Sequence, residues 1–240
     1  MIETRGALFL SLAFAAEVLG TLTGFGSSTF FVPMGSLIEG IHFVLVITAI
    51  LHCFGNFARL IMFRRSLNWR LIVPLAAPAI VLTGVGALLT SWVSARWTLA
   101  ALGPALILIS LIYPFAKRVF ASRSKSAAYW LSGLSGFLTG WVGTGGAIRG
   151  VALILLGLEK EVFVATSAGI DVGSDLLRAA IYIHSGFMDW KRWALIPLLA
   201  LAAGLGVFFG RLFLRHINQV QFERLVAVTI FLSGLVLIIW

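Results

Sequence analysis

The sequence predicts an all-α integral membrane protein of about eight transmembrane helices in two homologous halves, each opening with a glycine-broken helix. Three observations carry this prediction. The chain of 240 residues is 60% hydrophobic and only 11% charged, with a mean hydropathy of +1.04, whereas a soluble domain carries roughly a quarter charged residues. The apolar runs are long and continuous instead of alternating every second residue, which favours helices over barrel strands. Landmarks of the first half recur in the second in the same order.

The apolar stretches fall at 6–38, 43–63, 71–92, 97–115, 127–156, 162–184, 193–213 and 220–240. A bilayer core about 30 Å thick needs about 20 helical residues per crossing, so six of these suit one crossing each. The first and fifth are too long, and glycine interrupts both, as GFGSS at 24–28 and GTGG at 143–146. The start, Met1 to Glu17, superficially resembles a signal peptide with Ala13-Phe14-Ala15 as its cleavage site. Glu3 offsets Arg5, however, and the hydrophobic pattern continues, so this segment reads as the first helix.

The hydrophilic connection at 117–126 divides a first half, 1–116, from a second half, 127–240. GTLTGFG from Gly20 matches GFLTGWVG from Gly136, at an offset of 116. Gly55-Asn56 matches Gly173-Ser174 at 118, Gly84-Val85-Gly86 matches Gly204-Leu205-Gly206 at 120, and Asn68-Trp69-Arg70 matches Asp189-Trp190-Lys191 at 121. Internal repeats with interrupted helices in corresponding positions are the sequence mark of a transporter site.

The charge of +9 reads through the positive-inside rule and not as nucleic-acid binding, because the basic residues cluster in short loops. Arg64, Arg65 and Arg70 mark one cytoplasmic loop, and Lys117, Arg118, Arg123 and Lys125 another. If each broken element crosses once, the halves are parallel and both termini lie inside. If each is a re-entrant hairpin, the halves are inverted and the termini lie outside. Loop charge favours neither scheme.

A helix that starts in mid-membrane presents unpaired N–H groups and a positive dipole end, and such a start attracts anions. The first break offers Gly26, Ser27, Ser28 and Thr29 for this purpose, and the second Gly143, Thr144, Gly145 and Gly146. Gly20/Gly24 and Gly136/Gly140 stand at GxxxG spacing and read as packing seams. Glu17, His52, Arg59, Arg149, Asp171, Asp175 and Arg178 fall inside apolar runs. An ionisable group at mid-bilayer costs on the order of 3 kcal/mol, so each should face protein or a wet cavity. Arg149, just beyond GTGG, and Arg178 are the leading anion ligands, with Asn56 and Arg59 as their first-half companions. Arg59 could alternatively snorkel to the basic loop. Asp175 and Arg178, three apart, can pair on one helix. Glu17, Asp171 and Asp175 are candidates for proton coupling, and an ion-pair cluster that holds helices together is the competing reading of the two aspartates.

Other signals are weak. Gly133-Leu134-Ser135-Gly136 spells the GxSG of an intramembrane serine protease, with His184 as an imaginable base. No second feature supports that enzyme. The histidines lack metal-ligand spacing, Cys53 is the only cysteine, and no metal or cofactor is expected. No GxxxxGK[ST] run is present, which argues against ATP-driven pumping. Tryptophans near span ends form an interfacial belt.

LTGFGSSTFFVPMGSL at 22–37, GWVGTGGAIRGVALILLGLEKEVFVATSAG at 140–169 and DLLRAAIYIHSG at 175–186 resemble the TauE/SafE family of membrane transport proteins across essentially the whole chain. GFGSS stands where many members carry a GxGGG-like run. The resemblance implies sulfite or an organosulfonate as substrate, while the residues themselves specify only a small anion. Together they lead to the expectation of a multi-pass inner-membrane secondary carrier working by alternating access, with a channel-like facilitator as the alternative. Its partners are the small anion and the bilayer, with a homo-oligomer left open.

Overall fold

The structure, a computed structural model, describes residues 2–90 and 125–239 together with positions 92, 104, 107, 108 and 111. Most of the stretch at 97–115 and of the connection at 117–126 lies outside the described residues. The described chain is helical, with nine α-helices longer than one turn: α1 Ile2–Thr23, α2 Ser28–Ser36, α3 Ile41–Met62, α4 Trp69–Leu89, α5 Lys125–Val142, α6 Gly146–Leu155, α7 Lys160–His184, α8 Leu195–His216 and α9 Gln219–Ile239. Five segments are long and apolar enough to cross a membrane: Gly6–Thr23, Ile41–Met62, Trp69–Leu89, Leu195–His216 and Gln219–Val236.

Both glycine-rich stretches interrupt the helix, and the chain then turns back. Ser27 Oγ donates to Glu17 Oε1 at 2.8 Å, ten residues earlier, and the Phe9 and Phe31 rings stack edge-on at 5.1 Å. α2 therefore runs back along α1. In the second break Ser135 Oγ donates to the Gly145 carbonyl at 2.8 Å, so α6 likewise returns along α5. α2 and α6 have nine and ten residues, about 14–15 Å of helix, or half a bilayer.

α3 runs parallel to α1, because Val44 lies against Gly35, His52 against Ser27 and Arg59 against Thr21. α7 runs the opposite way: Phe163 packs on Gly24, Asp175 meets Asn56, and Tyr182 donates to the Gly140 carbonyl. α4 and α5 lie side by side in one direction, joined where Ser132 reaches the Leu75 carbonyl at 2.9 Å, Thr83 that of Gly136 at 3.0 Å and Thr90 that of Gly140 at 2.9 Å. Lipid tails are as apolar as leucine, so close backbone approach and such hydrogen bonds drive helix association.

That principle divides the four GxxxG glycines. A Cβ on Gly136 or Gly140 would collide with the carbonyl of Ala79 or Thr83 on α4, so these two form the expected seam. Gly20 and Gly24 do not. Gly20 is covered by the Ser27 backbone of its own hairpin, and Gly24 is the turn, with φ +74°. The small-residue seam on α1 comes instead from α8, where Gly206 and Gly210 lie on Glu17, Val18 and Thr21.

Candidate functional site

The two hairpin turns meet inside the helix bundle. Gly24 and Gly26 adopt φ +74° and +103°, and Gly143 adopts +78°, left-handed conformations that side chains rarely take. Gly146 lies so close to the Phe25 carbonyl that any Cβ would strike it. Thr144 Oγ1 donates to Thr29 Oγ1 at 3.0 Å. Arg149, in the first turn of α6, crosses to the other hairpin and donates through Nη2 to the Phe25 carbonyl at 2.9 Å. Its Nε bonds Ser167 at 2.9 Å, and Nη1 pairs with Asp171.

α3 and α7 face each other with matching polar stripes. His52, Asn56 and Arg59 stand at positions i, i+4 and i+7 of α3, and Asp171, Asp175 and Arg178 at the same spacing on α7. Residues so spaced share one helix face. The stripes join where Asn56 Nδ2 donates to Asp175 Oδ2 at 2.7 Å, with His52 Nδ1 at 3.9 Å from the same oxygen. Arg59 donates to Asn56 Oδ1 at 2.8 Å, to Thr21 Oγ1 at 3.0 Å and to Glu17 Oε2 at 2.5 Å. Ser27 lies 2.8 Å from His52 Nε2 as well as bonding Glu17. Arg178 Nε donates to Asp175 Oδ1 at 2.8 Å.

Three guanidinium groups and three carboxylates thus share one core, all at least 96% buried. Removing a partner from such a pair leaves an uncompensated buried charge and costs about 3–5 kcal/mol. Hydrogen bonds run without interruption from Thr21 through Arg59, Asn56 and Asp175 to Arg178. Arg178 is fully buried. Its Nη1 reaches the Thr139 and Gly143 carbonyls only at 3.5 and 3.4 Å, and Nη2 has no hydrogen-bond partner. The buried hydroxyls of Thr139, Thr166 and Ser174 are also unpaired. Ser174 stands one turn before Arg178, and the Thr139 carbonyl is in contact with it.

The structure brings Gly26, Ser27, Thr29, Asn56, Arg59, Gly143, Thr144, Gly145, Gly146, Arg149 and Arg178 into this assembly, with Glu17, Asp171 and Asp175. Ser28 is buried at the head of α2, beside Gly26. Arg59 does not snorkel to the basic loop; Glu17 holds it in the interior. Arg149 stands where expected but is fully engaged, so the unspent guanidinium nitrogen belongs to Arg178. Ser135 uses its hydroxyl on Gly145, while His184 is exposed at the end of α7, so the protease pair is not assembled.

Thr139, Ser167 and Ser174 are not among the sequence candidates, and His52, expected only to face the interior, has no binding role assigned to it there. The signal for His52 was available. His52, Asn56 and Arg59 repeat the spacing of Asp171, Asp175 and Arg178 at a constant separation of 119 residues.

No curated protein sequence matches this chain. A family model described as sulfite exporter TauE/SafE matches residues 8–237. The helical, membrane-crossing chain with its buried charged core belongs to the TauE/SafE sulfite exporter family, membrane transporters of sulfur anions.

Proposed function

We propose that the chain is a secondary transporter that binds sulfite or an organosulfonate between its two hairpins and carries it across the inner membrane by alternating access. The observation that supports this most is the Arg178 Nη2 group, fully buried and without a hydrogen-bond partner. A buried unpaired donor is costly, and a charged one is relieved by an oxyanion. A sulfur oxyanion there would accept from Nη2 and from the Thr139 and Ser174 hydroxyls. The N–H groups at the starts of α2 and α6 add the positive ends of two short dipoles.

An inverted repeat supplies the means of alternation. Helix ends Thr23 and Val142, starts Ser28 and Gly146, and starts Ile41 and Lys160 recur 118–119 residues apart. Thr29 touches Thr144, and Asn56 touches Asp175, residues separated by 115 and 119. A residue next to a two-fold axis would contact its own counterpart, as Asn56 does Asp175, whereas Thr144 falls three or four residues short of the position that corresponds to Thr29. This register differs by one helical turn from the 116 of the GTLTG match, because the turn glycines Gly24 and Gly143 correspond and not Gly24 and Gly140. The end with Arg64, Arg65, Arg70, Lys125, Lys160, Arg211 and Arg215 is then cytoplasmic, and both termini lie on the other side. Rocking of one hairpin unit against the other would expose the shared site to each side in turn.

The core carries three guanidinium groups and three carboxylates, so a bound monoanion would leave it one negative charge in excess. A proton on Glu17, Asp171 or Asp175 would restore neutrality. Arg59, Arg149, Arg178 and His52 face these carboxylates, and anion movement is then coupled to a proton moving in the same direction.

Proteoliposomes containing the purified chain test the reading. Sulfite flux should saturate, show counterflow with unlabelled sulfite, and acidify the lumen as sulfite enters. Flux that never saturates and shows no counterflow would favour a channel. A screen of sulfite, sulfate, sulfonates and carboxylates by thermal stabilisation should rank the true substrate first.

A further inference from the structure

We propose a second anion site, distinct from the transport core, that holds the phosphate of an anionic phospholipid at the basic end of the bundle. A cavity of about 510 Å³ opens there between the α3–α4 turn, the start of α7 and the last turns of α8. Arg64, Arg65, Arg211 and Arg215 line it, against a single carboxylate, Glu161. The Ser66 hydroxyl donates to Glu161 at 3.3 Å, and no ion pair ties any of these four arginines among the described residues.

Arg211 and Arg215 stand one turn apart on α8, and Arg64 and Arg65 are neighbours. Like charges at i, i+4 repel, and Glu161 balances only one of the four cations, so a bound anion would relieve the arrangement. The Arg211 guanidinium lies over the buried Phe63 ring, 5.4 Å from its centroid, which orients one cation at the cavity wall.

Three features favour a lipid over a dissolved anion. The cavity is far larger than a sulfite-sized solute requires. Ile61 lines it and is 70% exposed, an apolar lip on which acyl chains can rest beside the charged basin. The cavity also lies at the ends of the apolar helices α3 and α8, the part of a transmembrane bundle where basic pockets bind anionic headgroups.

The test uses the full chain purified in neutral detergent, with phosphatidylglycerol, phosphatidylcholine or inorganic phosphate added at matched concentration. Native mass spectrometry should show phosphatidylglycerol retained about tenfold more strongly than phosphatidylcholine, and phosphatidylglycerol alone should raise the thermal midpoint. R64Q/R65Q/R211Q/R215Q should remove that preference while leaving saturable sulfite flux in place. R211Q/R215Q serves if the fourfold variant fails to fold, and should lose at least half of the midpoint shift. Equal retention of both lipids, or an unchanged preference in the variants, would overturn the proposal. An equal shift from inorganic phosphate would assign the cavity to a solute and overturn the lipid.

Discussion

The two halves place the same polar spacing on α3 and α7 and use it differently. In the described part of the first half the charged and hydroxyl groups at the centre are bonded: Arg59 is held by Glu17, Thr21 and Asn56, and Ser27 by Glu17 and His52. In the second half Arg178 keeps one nitrogen free, and all the unpaired buried side-chain atoms among the described residues, from Thr139, Trp141, Thr166, Ser174 and Arg178, lie there. Equal spacing on two helices does not impose equal duties on them. The first stripe is bonded as a scaffold would be, while the second leaves Ser174 Oγ and Arg178 Nη2 without partners, the groups to which the proposed anion would bind.

The strongest way to break this contrast is Glu17→Gln, which strands Arg59 in the interior. It should cost about 3–5 kcal/mol of stability, read as a fall in thermal midpoint in detergent, and Glu17→Gln with Arg59→Met should recover part of the loss. A variant that melts like the parent would mean that the first half is no scaffold.

Gly86→Ala and Gly206→Ala come next, at positions that correspond in the two halves. Their added Cβ atoms would meet the Phe137 carbonyl and the Glu17 stem, and each should lower stability by about 1–3 kcal/mol. Gly204→Ala, with open space around it, should leave the midpoint unchanged or raise it. A large loss from only one of the paired glycines would extend the asymmetry from polar groups to packing.

Arg178→Lys keeps a cation beside Asp175 but removes the second guanidinium nitrogen. Anion affinity should fall roughly tenfold, the equivalent of about 1.4 kcal/mol, in isothermal titration with sulfite. Unaltered affinity would remove Arg178 from the binding site.

The smallest effects sharpen the comparison most. Ser174→Ala deletes a hydroxyl that has no partner, so stability should hold while sulfite affinity drops by a few-fold. Ser27→Ala deletes a bonded one and should cost about 1 kcal/mol of stability. Opposite outcomes in these two variants would exchange the roles of the halves.

Much of this design was readable in advance because bilayer chemistry leaves few options. A charged residue inside a long apolar run must turn inward, so Glu17, Arg59, Arg149, Asp171, Asp175 and Arg178 declared themselves without coordinates. The same logic made GFGSS and GTGG visible as interruptions, since glycine in a run too long for one crossing marks a break. Less legible was the direction taken after each break. Gly24, Gly26 and Gly143 permit a turn, but permission does not distinguish a kink from a reversal; the bonds from Ser27 to Glu17 and from Ser135 to Gly145 do. The letter match pairs Gly24 with Gly140, yet Gly24 and Gly143 are the glycines that turn, while Gly140 packs against Thr83 and Ala87: identical letters serve a turn in one place and a seam in the other.

Composition, the positions of the interruptions and the identity of the buried charges were fixed by the chain alone, since each follows from what lipid tolerates at a given residue. Which arginine is fully paired and which keeps a free nitrogen was decided only by the packed structure. Pairing depends on distances between α1, α3, α6 and α7, separate segments drawn from both ends of the chain, and helical spacing within any one of them carries no record of what stands opposite.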